Sequence, residues 1–269
     1  MKHRLIIFFV FLFLLTFNTF MVFADISVAG ELTHIYTSDV DEEIDGKIII
    51  RNNGKEADEV IIYQTDYLYN IEGENSFNEP GSHPRSNALW IDVFPERVVV
   101  PPKGEVFVNY KINIPSDSSL LGTYWSVIMV EPIKKSTQNF HTENKNLNIG
   151  LNIKTRYGIR IINNMQDIGD YDINILNREI VENENGKFFV IDVENSGEAM
   201  IVPEVYMEVY DMKGNFVNKL TSSKLTIFPG TSVRHSLEVN KLDEGDYKAL
   251  VVVDNGDENI WGAYYDFEL

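Results

Sequence analysis

The chain has 269 residues, no cysteine and a formal net charge of −18. A chain this acidic repels a phosphate backbone, which argues against nucleic acid as a partner. Without disulfides the protein must be held together by core packing, and without cysteine it is not a cysteine-anchored lipoprotein.

The first 24 residues have the composition of an export signal. Lys2 and Arg4 precede an apolar segment that ends at Ala24, with Val22 two positions earlier. This arrangement is typical of a secretory signal peptide cleaved after Ala24, and an uncleaved N-terminal anchor is the alternative. Cleavage leaves 21 Lys and Arg against 41 Asp and Glu, a net charge of −20. We expect membrane contact only through this segment, if it is uncleaved.

The remainder of the chain is predicted to be all-β. Short apolar segments separated by turn residues at a spacing of about 8–12 are typical of a β-sandwich, and no segment has a convincing helical period. In chain order, strands are expected near residues 26–28, 32–36, 46–51, 59–69, 88–94, 97–100, 106–114 and 122–130, with a second set from residue 171. We predict two tandem immunoglobulin-like sandwiches, residues 25–163 and 171–269, joined by a linker at residues 164–170.

Residues 147–161 form the most unusual segment. Every second residue except Thr155 is strongly apolar, in the order Leu147, Ile149, Leu151, Ile153, Tyr157, Ile159 and Ile161. A single strand of this length would span about 50 Å, although strands usually have about 5–6 residues. Residues 155–161 are expected in a core, whereas residues 147–153 either join that core or pair with another chain.

Two arginines lie on the polar face of this predicted strand. Arg156 and Arg160 alternate with the apolar positions. One interpretation is that they pair with surface acids, which is common and contributes little stability. The other is that they bind a carboxylate of a partner.

Three landmarks recur in the same order in both halves of the chain. The pairs are Asn52-Asn53-Gly54 with Asn195-Ser196-Gly197, Phe94-Pro95 with Phe228-Pro229, and Gly122-Thr123-Tyr124 with Gly245-Asp246-Tyr247. The Asn-Xaa-Gly turns are expected to need a residue with positive φ. The Gly-Xaa-Tyr elements are expected to form tyrosine corners, in which the hydroxyl bonds back to the main chain.

Candidate sites for metals and for catalysis are weak. The acidic segments 39–45 and 254–259 lack the full spacing of a calcium loop, and the histidines have no metal-ligand spacing. His235 is expected to be a half-buried strand residue in phase with Val233 and Leu237. No nucleophile elbow, phosphate loop, zinc motif or dinucleotide fingerprint occurs. We therefore predict no metal, no cofactor and no enzymatic activity.

The aromatic residues have two interpretations. Trp125 is expected to fill the first core and Trp261 the second, because aromatic side chains supply much of the burial in sandwiches. The alternative is a sugar-stacking surface formed by the tryptophans together with Tyr264, Tyr265 and Phe267.

Several of these segments resemble PapD-like periplasmic chaperones. The resemblance lies in residues 32–36, 52–54, 91–95 and 100–115, and in Tyr124-Trp125. Residues 122–125 and the second sandwich look closer to the tandem immunoglobulin-like surface proteins that partner WxL-type proteins.

In such chaperones the last strand of the first domain lends alternating apolar side chains to a subunit that lacks a strand, by β-augmentation. The resemblance implies that Leu147, Ile149, Leu151 and Ile153 contact the partner, with Lys154 or Arg156 as the cation of this strand. The family also has a first-strand arginine, which binds the subunit's terminal carboxylate together with the last-strand lysine. No arginine occupies the corresponding region of this chain, around residues 33–34.

We therefore expect an exported, non-enzymatic protein-binding module in the periplasm or at the cell surface. It would act by β-strand pairing with another secreted or surface protein, such as a pilus-like or envelope subunit. The alternative is a cell-surface adhesin or glycan-binding sandwich that uses exposed aromatic residues.

Overall fold

The computed structural model describes residues 25–133, 136–141, 148–153, 155–256 and 258–269. The strands up to residue 165 are β1 Ile26–Ala29, β2 Thr33–Ser38, β3 Glu43–Asn52, β4 Asp58–Tyr69, β5 Asn75–Asn78, β6 Ile91–Phe94, β7 Arg97–Val100, β8 Glu105–Asn113, β9 Thr123–Pro132, β10 Ser136–His141, β11 Asn148–Ile153 and β12 Tyr157–Met165. The later strands are β13 Ile173–Asn183, β14 Gly186–Asn195, β15 Glu204–Asp211, β16 Phe216–Thr221, β17 Ser232–Glu238, β18 Asp246–Asp254 and β19 Ile260–Glu268. The prediction of an all-β chain with two tandem immunoglobulin-like sandwiches is confirmed, whereas the exact domain boundaries stay a prediction.

The first sandwich consists of two sheets. Strands β1, β3, β8 and β6 form one sheet, and β2, β12, β9, β4 and β5 form the other, with β7 pairing to β4. The chain changes sheets between its first two strands, because β1 pairs antiparallel with β3 whereas β2 pairs parallel with β12. Gly30 lies in this crossover with a φ of 94°, a conformation that glycine adopts without steric cost. The crossover places β2 beside the last strand of the sandwich.

The core of this sandwich follows the predicted alternation. Val108, Tyr110 and Ile112 of β8 are buried, and the residues between them face outward or lie half-buried. Ile159 and Ile161 of β12 are fully buried in the same core. This confirms the expectation that the C-terminal half of segment 147–161 is a core strand.

The second sandwich packs a three-stranded sheet, β13-β14-β17, against a four-stranded sheet, β16-β15-β18-β19. Trp261 is half-buried and packs against the core of this sandwich, as expected. His235 is in phase with Val233 and Leu237, but only 1% of its surface is exposed. The expectation of a half-buried histidine was therefore wrong, because the opposite sheet covers this position of β17 completely.

The internal repeat extends to individual hydrogen bonds. Asn52 donates from Nδ2 to the carbonyl oxygens of Glu56 (2.7 Å) and Val100 (3.0 Å), and its Oδ1 accepts the Gly54 N–H (2.7 Å). Asn195 makes the corresponding bonds to Ala199 (2.8 Å), Ile227 (2.9 Å) and Gly197 N–H (3.0 Å). Both asparagines are buried. The two halves therefore share one turn architecture, in which a buried asparagine joins two loops.

The reason predicted for the glycines of these turns was wrong. The residues of positive φ include neither Gly54 nor Gly197. A Cβ on Gly197 would lie 2.6 Å from the carbonyl oxygen of Asp170, and one on Gly54 would lie 2.9 Å from Oδ1 of Asn52. Glycine is favoured at these positions because other residues of the same chain lie too close for a side chain, and not because the backbone is left-handed. The predicted tyrosine corner is confirmed at Tyr247, whose hydroxyl donates to the carbonyl oxygen of Asp243 (2.8 Å).

Trp125 does not fill the first core, so that prediction was wrong. It is buried in a separate cluster between the sandwiches, together with Ile162 and Phe228. Its indole stacks on the Phe228 ring at a centroid distance of 4.5 Å, and its Nε1 donates to the carbonyl oxygen of Tyr67 (2.7 Å). The hydrophobic residues of β9 that face the first core are Tyr124, Ile128 and Val130. Trp125 lies on the other face, because successive side chains of a strand point to opposite faces.

Polar contacts reinforce the same junction. Tyr69 donates its hydroxyl hydrogen to the carbonyl oxygen of Thr226 (2.5 Å) and accepts the Phe228 N–H (3.2 Å). Arg85 donates to the carboxylate of Glu198 (2.6 Å), and Glu198 accepts the Thr123 N–H through its carbonyl oxygen (2.9 Å). The second sandwich is therefore attached directly to the sheet that contains β9 and β12.

Candidate partner-binding edge

The predicted single strand at residues 147–161 is interrupted, so that prediction was wrong. The ladder between β12 and β9 ends at the pair Tyr157 and Val130, and β11 pairs with β10 in a separate two-stranded sheet that begins at Ser136 and Ile153. Thr155 and Arg156 lie outside both strands and are exposed. The apolar alternation continues through the interruption, so the period alone does not reveal it.

Two backbone edges in this region have no strand partner within the described part of the chain. Strand β2 pairs with β12 only from Arg160 onward, so Tyr157, Gly158 and Ile159 have no neighbouring strand on that side. Strand β11 pairs with β10 on one side only. Unpaired strand edges present N–H and C=O groups that can pair with another chain. We call residues 148–153 and 157–159 together the open edge.

Arg156 lies at one end of the Tyr157–Ile159 part of the open edge. Its Nη1 is 4.0 Å from Oε2 of Glu131, and its guanidinium carbon lies 5.7 Å from the centroid of the Phe77 ring. Oε2 of Glu131 also accepts the hydroxyl hydrogen of Tyr63 (2.7 Å). Burial and the Glu131 carboxylate raise the pKa of Tyr63, although Arg156 acts to lower it. Arg156 therefore lies at the limiting ion-pair distance from one acid, Glu131, and a carboxylate-binding role for Arg156 stays a prediction.

A shallow pocket of about 210 Å³ adjoins Arg156. Tyr63, Phe77, Glu79 and Met129 belong to its lining. The pocket lies on the outer face of the sheet, near the antiparallel pair of β4 and β5. It combines apolar walls with one cation and one acid, which suits an amphipathic side chain.

Arg160 lies at the other end of the same edge and has different surroundings. Its Nε donates to Oγ1 of Thr33 (3.2 Å), and its backbone N–H donates to the Leu32 carbonyl oxygen (2.9 Å). Among the described residues, no carboxylate lies within ion-pair distance of it. Burial raises the pKa of Tyr67 and of Tyr69, and the positive charge of Arg160 partly opposes both changes. Arg160 therefore places a positive charge beside the domain junction and the open edge.

The loop at residues 79–87 supports this junction through one buried carboxylate. Asp66 accepts N–H bonds from Gly81 (3.2 Å), Ser82 (2.6 Å) and His83 (3.2 Å), and hydroxyl bonds from Ser82 (2.9 Å) and Ser86. Burial acts to raise the pKa of Asp66, but these hydrogen bonds outweigh it and the pKa falls below the ordinary value. The ordered loop holds Arg85 against Glu198.

The predicted contact residues are only partly described. Leu147 and Lys154 lie outside the described residues. Ile149, Leu151 and Ile153 lie in β11, and their contact with a partner stays a prediction. Sequence reasoning placed Arg160 on the polar face of the strand but left it out of the preferred contact set. The alternation was the available signal, because it puts Arg156 and Arg160 on one face.

The aromatic residues do not form one exposed surface, so the predicted sugar-stacking surface was wrong. Trp125 is buried at the domain junction, and Trp261, Tyr265 and Phe267 pack against the second core. Tyr264 alone of these residues is largely exposed, at 78%, because it points away from the core side of β19.

The described residues contain neither a metal-binding cluster of side chains nor a helix that could span a membrane. Across residues 25–133, 136–141, 148–153, 155–256 and 258–269, no group of three or more His, Asp or Glu side chains is arranged to hold a metal ion. Within the same ranges, no helix has the length and apolarity needed to cross a membrane.

Comparison with known proteins finds similarity only among solved structures. No family model matches the sequence, and no curated protein matches it. A chain from a chaperone–tip adhesin complex of CFA/I fimbriae biogenesis is 14% identical, with a TM-score of 0.47 and coverage of 90% of this chain and 98% of that one. The class 5 fimbriae chaperone CfaA is 13% identical, with a TM-score of 0.46 and coverage of 89% and 98%.

A third similar structure is the CsuC–CsuE chaperone–tip adhesion subunit complex from Csu pili of Acinetobacter baumannii. It is 11% identical, with a TM-score of 0.45 and coverage of 90% of this chain and 98% of that one. Each of these three structures is, or contains, a chaperone of fimbriae or pili. Identities of 11–14% leave the function to be inferred from this chain's own geometry.

Proposed function

We propose that this protein is an exported, non-enzymatic binding module that pairs its open edge with an extended segment of another envelope or surface protein. The observation that carries the proposal is the absence of a neighbouring strand, within the described residues, beside Tyr157–Ile159 of β12 and on one side of β11. An unpaired edge is normally shortened, charged or covered, because it promotes association. An edge that is kept open in a well-packed sandwich is suited to β-augmentation.

The arrangement separates the roles of backbone and side chains. Main-chain groups of the open edge would supply affinity, and side chains at alternate positions would supply specificity. Ile149, Leu151 and Ile153 would contact the partner from β11, with Leu147 preceding them. The partner would be a secreted or surface protein such as a pilus-like subunit, which agrees with the export signal expected at residues 1–24.

The fold holds the open edge in place at the end formed by β12. Ile159 and Ile161 anchor β12 in the core, and Ile162 packs in the junction with Trp125 and Phe228. A preorganised edge lowers the entropy cost of binding. The binding strand is therefore held in place by the same packing that joins the two sandwiches.

The experiment is capture of partners from the protein's own cell envelope by the tagged chain that lacks residues 1–24. The test variant carries Ile149→Asp, Leu151→Asp and Ile153→Asp. The matched control carries Asn148→Asp, Gly150→Asp and Asn152→Asp, which adds the same charge to the opposite face of the same strand. Circular dichroism and thermal unfolding establish that both variants are folded.

We expect the wild type and the control to capture the same protein, and the folded test variant to lose it. Equal capture by the test variant and the wild type would contradict strand pairing through β11. Unfolding of the test variant alone would show that these side chains belong to a core, which would also contradict the proposal.

A further inference from the structure

His83 lies at the junction of the two sandwiches, in the loop of residues 79–87. Its ring packs on the indole of Trp125, which stacks in turn on Phe228 of the second sandwich. Its Nδ1 accepts the backbone N–H of Arg85 (3.2 Å). An imidazole nitrogen that accepts a hydrogen bond carries no proton, so the neutral ring has its hydrogen on Nε2. The contacts of His83 at the junction therefore require one protonation state.

The surroundings of His83 oppose a positive charge on the ring. Its Nε2 is buried and has no hydrogen-bond partner among the described residues, and a buried charge without such a partner is costly. Asp66 of β4, which accepts the backbone N–H of His83, attracts a positive ring, but burial outweighs this attraction and lowers the pKa of His83. His83 is therefore neutral at neutral pH and gains a proton only as the pH falls below the ordinary value of about 6.5.

Arg85 connects this histidine to the second sandwich. Its Nη2 donates to Oε2 of Glu198 (2.6 Å), and its Nη1 donates to the carbonyl oxygen of Leu121 (2.9 Å). Its own carbonyl oxygen accepts the Trp125 N–H (3.0 Å). The backbone of Arg85 is thus held between His83 and Trp125 while its side chain crosses to the other sandwich. A change at Nδ1 of His83 therefore acts on the residue that clamps the junction.

We infer that His83 is a proton-operated latch, which holds the two sandwiches together when it is neutral and releases Arg85 from Glu198 when it is protonated. A proton from solvent that binds Nδ1 takes the lone pair that accepts the Arg85 N–H, so two N–H groups then face each other. The positive ring also lies buried with no acceptor for its Nε2–H. Movement of the loop away from the second sandwich relieves both, because it separates the two N–H groups and admits water to the ring.

The other charged groups at the junction allow the effect of His83 to be isolated. Hydrogen bonds hold the pKa of Asp66 below its ordinary value, so Asp66 stays ionised at about pH 5. Burial raises the pKa values of Tyr69 and Tyr124, so both tyrosines stay neutral. His235 is the residue that makes the second sandwich itself sensitive to acid. All proteins in the test therefore carry His235→Gln.

The test measures the spacing of the two sandwiches by single-molecule energy transfer in the chain that lacks residues 1–24. The sequence has no cysteine, so Lys47→Cys on β3 and Lys248→Cys on β18 supply the only two thiols for the dyes. Both lysines are exposed. Spectra are recorded at about pH 7.5 and about pH 5, and circular dichroism establishes that each protein is folded at both values.

We expect one narrow distribution at pH 7.5, and a rise of at least about tenfold at pH 5 in the fraction of molecules outside it. His83→Gln should keep the narrow distribution at both pH values, because its amide oxygen accepts the Arg85 N–H and does not titrate. The matched control His34→Gln replaces a histidine of β2, where its Nδ1 bonds to the Tyr110 hydroxyl. It should respond to acid as the protein with His83 does.

A second measurement uses the reciprocity of linked equilibria and does not need a variant of His83. If protonation loosens the junction, a loosened junction must favour protonation by the same amount. Phe228→Ala opens the junction without changing any charge. It should raise the pKa of His83, followed by NMR of the imidazole resonances, toward the ordinary value of about 6.5.

A distribution that is unchanged between pH 7.5 and pH 5 would overturn the inference. So would an equal response to acid with His83→Gln, or loss of the response with His34→Gln. If His83→Gln does not fold, the NMR titration decides: a pKa of His83 that is the same with and without Phe228→Ala would show that its protonation is not coupled to the junction.

Discussion

Trp125 of the first sandwich and Phe228 of the second lie face to face, with ring centroids 4.5 Å apart and planes 7° from parallel. The centroid of the His83 ring lies 4.6 Å from that of Trp125, and His83 belongs to the loop that Asp66 orders. Because Trp125 is on β9, which pairs with β12, this contact fixes the second sandwich relative to the open edge.

The first prediction concerns this stack. Phe228→Ala removes a fully buried ring from the junction and should lower the free energy of unfolding by about 3–5 kcal/mol. Urea unfolding monitored by tryptophan fluorescence measures the change. Tyr264→Ala is the control, because Tyr264 is 78% exposed, and it should change stability by less than about 0.5 kcal/mol. Equal effects of the two substitutions would contradict a packed junction.

The second prediction concerns the repeated asparagines. Asn52→Ala and Asn195→Ala each leave two carbonyl groups and one N–H without their side-chain partner, and the carbonyl groups of Val100, Ala199 and Ile227 among them are buried. Each should cost about 2–4 kcal/mol, since an unsatisfied buried polar group costs about 1–3 kcal/mol. Asn53→Ala removes one exposed bond, to Ser27, and should cost much less. A large difference between Asn52→Ala and Asn195→Ala in urea unfolding would contradict the structural equivalence of the turns.

The third prediction concerns Asp66. Asp66→Ala removes the acceptor of the bonds from Gly81, Ser82, His83 and Ser86. We expect a loss of about 3 kcal/mol or more, because hydrogen bonds to a charged group contribute about 1.5–3 kcal/mol each. Faster proteolysis within residues 79–87 should accompany it, measured by mass spectrometry of the fragments. An unchanged cleavage rate would show that Asp66 does not order the loop.

The fourth prediction is a pH dependence that originates in His235. Burial lowers the pKa of His235 to about 4, and the unfolded imidazole has an ordinary value of about 6.5. The stability due to this histidine is complete above about pH 6.5 and is lost as the pH falls to about 4, by about 3 kcal/mol in all. The physical reason is that the unfolded chain binds a proton that the folded chain does not.

His235→Gln removes this proton linkage. The difference in unfolding free energy between the variant and the wild type should therefore change by about 3 kcal/mol between pH 7 and pH 4. Urea unfolding at a series of pH values measures it. Parallel curves for the two proteins would show that His235 does not resist protonation.

Much of the fold could be predicted from local patterns. The alternation at Val108, Tyr110 and Ile112 identifies a core strand, since one face of a sandwich sheet must be buried. The paired landmarks around Asn52 and Asn195 identify the repeat, because each short motif fills the same structural need in both halves.

Features that depend on distant partners could not be predicted in this way. The alternation continues from Ile153 to Tyr157 although the pairing changes there, because side-chain period carries no information about which strand is the neighbour. Trp125 faces the second sandwich, which follows from domain placement. The hydrogen-bond and ion-pair partners of Arg160 depend on which side chains lie near it in space, and no local sequence motif records those contacts.

Hydrogen exchange of the backbone amides, with and without the captured partner, tests strand pairing most directly. Paired amides exchange slowly, and those of an open edge exchange rapidly. The account predicts that partner binding slows exchange in residues 148–153 and 157–159, and leaves the exposed strand β19 unchanged. Slowed exchange in β19 or another surface strand, with residues 148–153 and 157–159 unaffected, would contradict it.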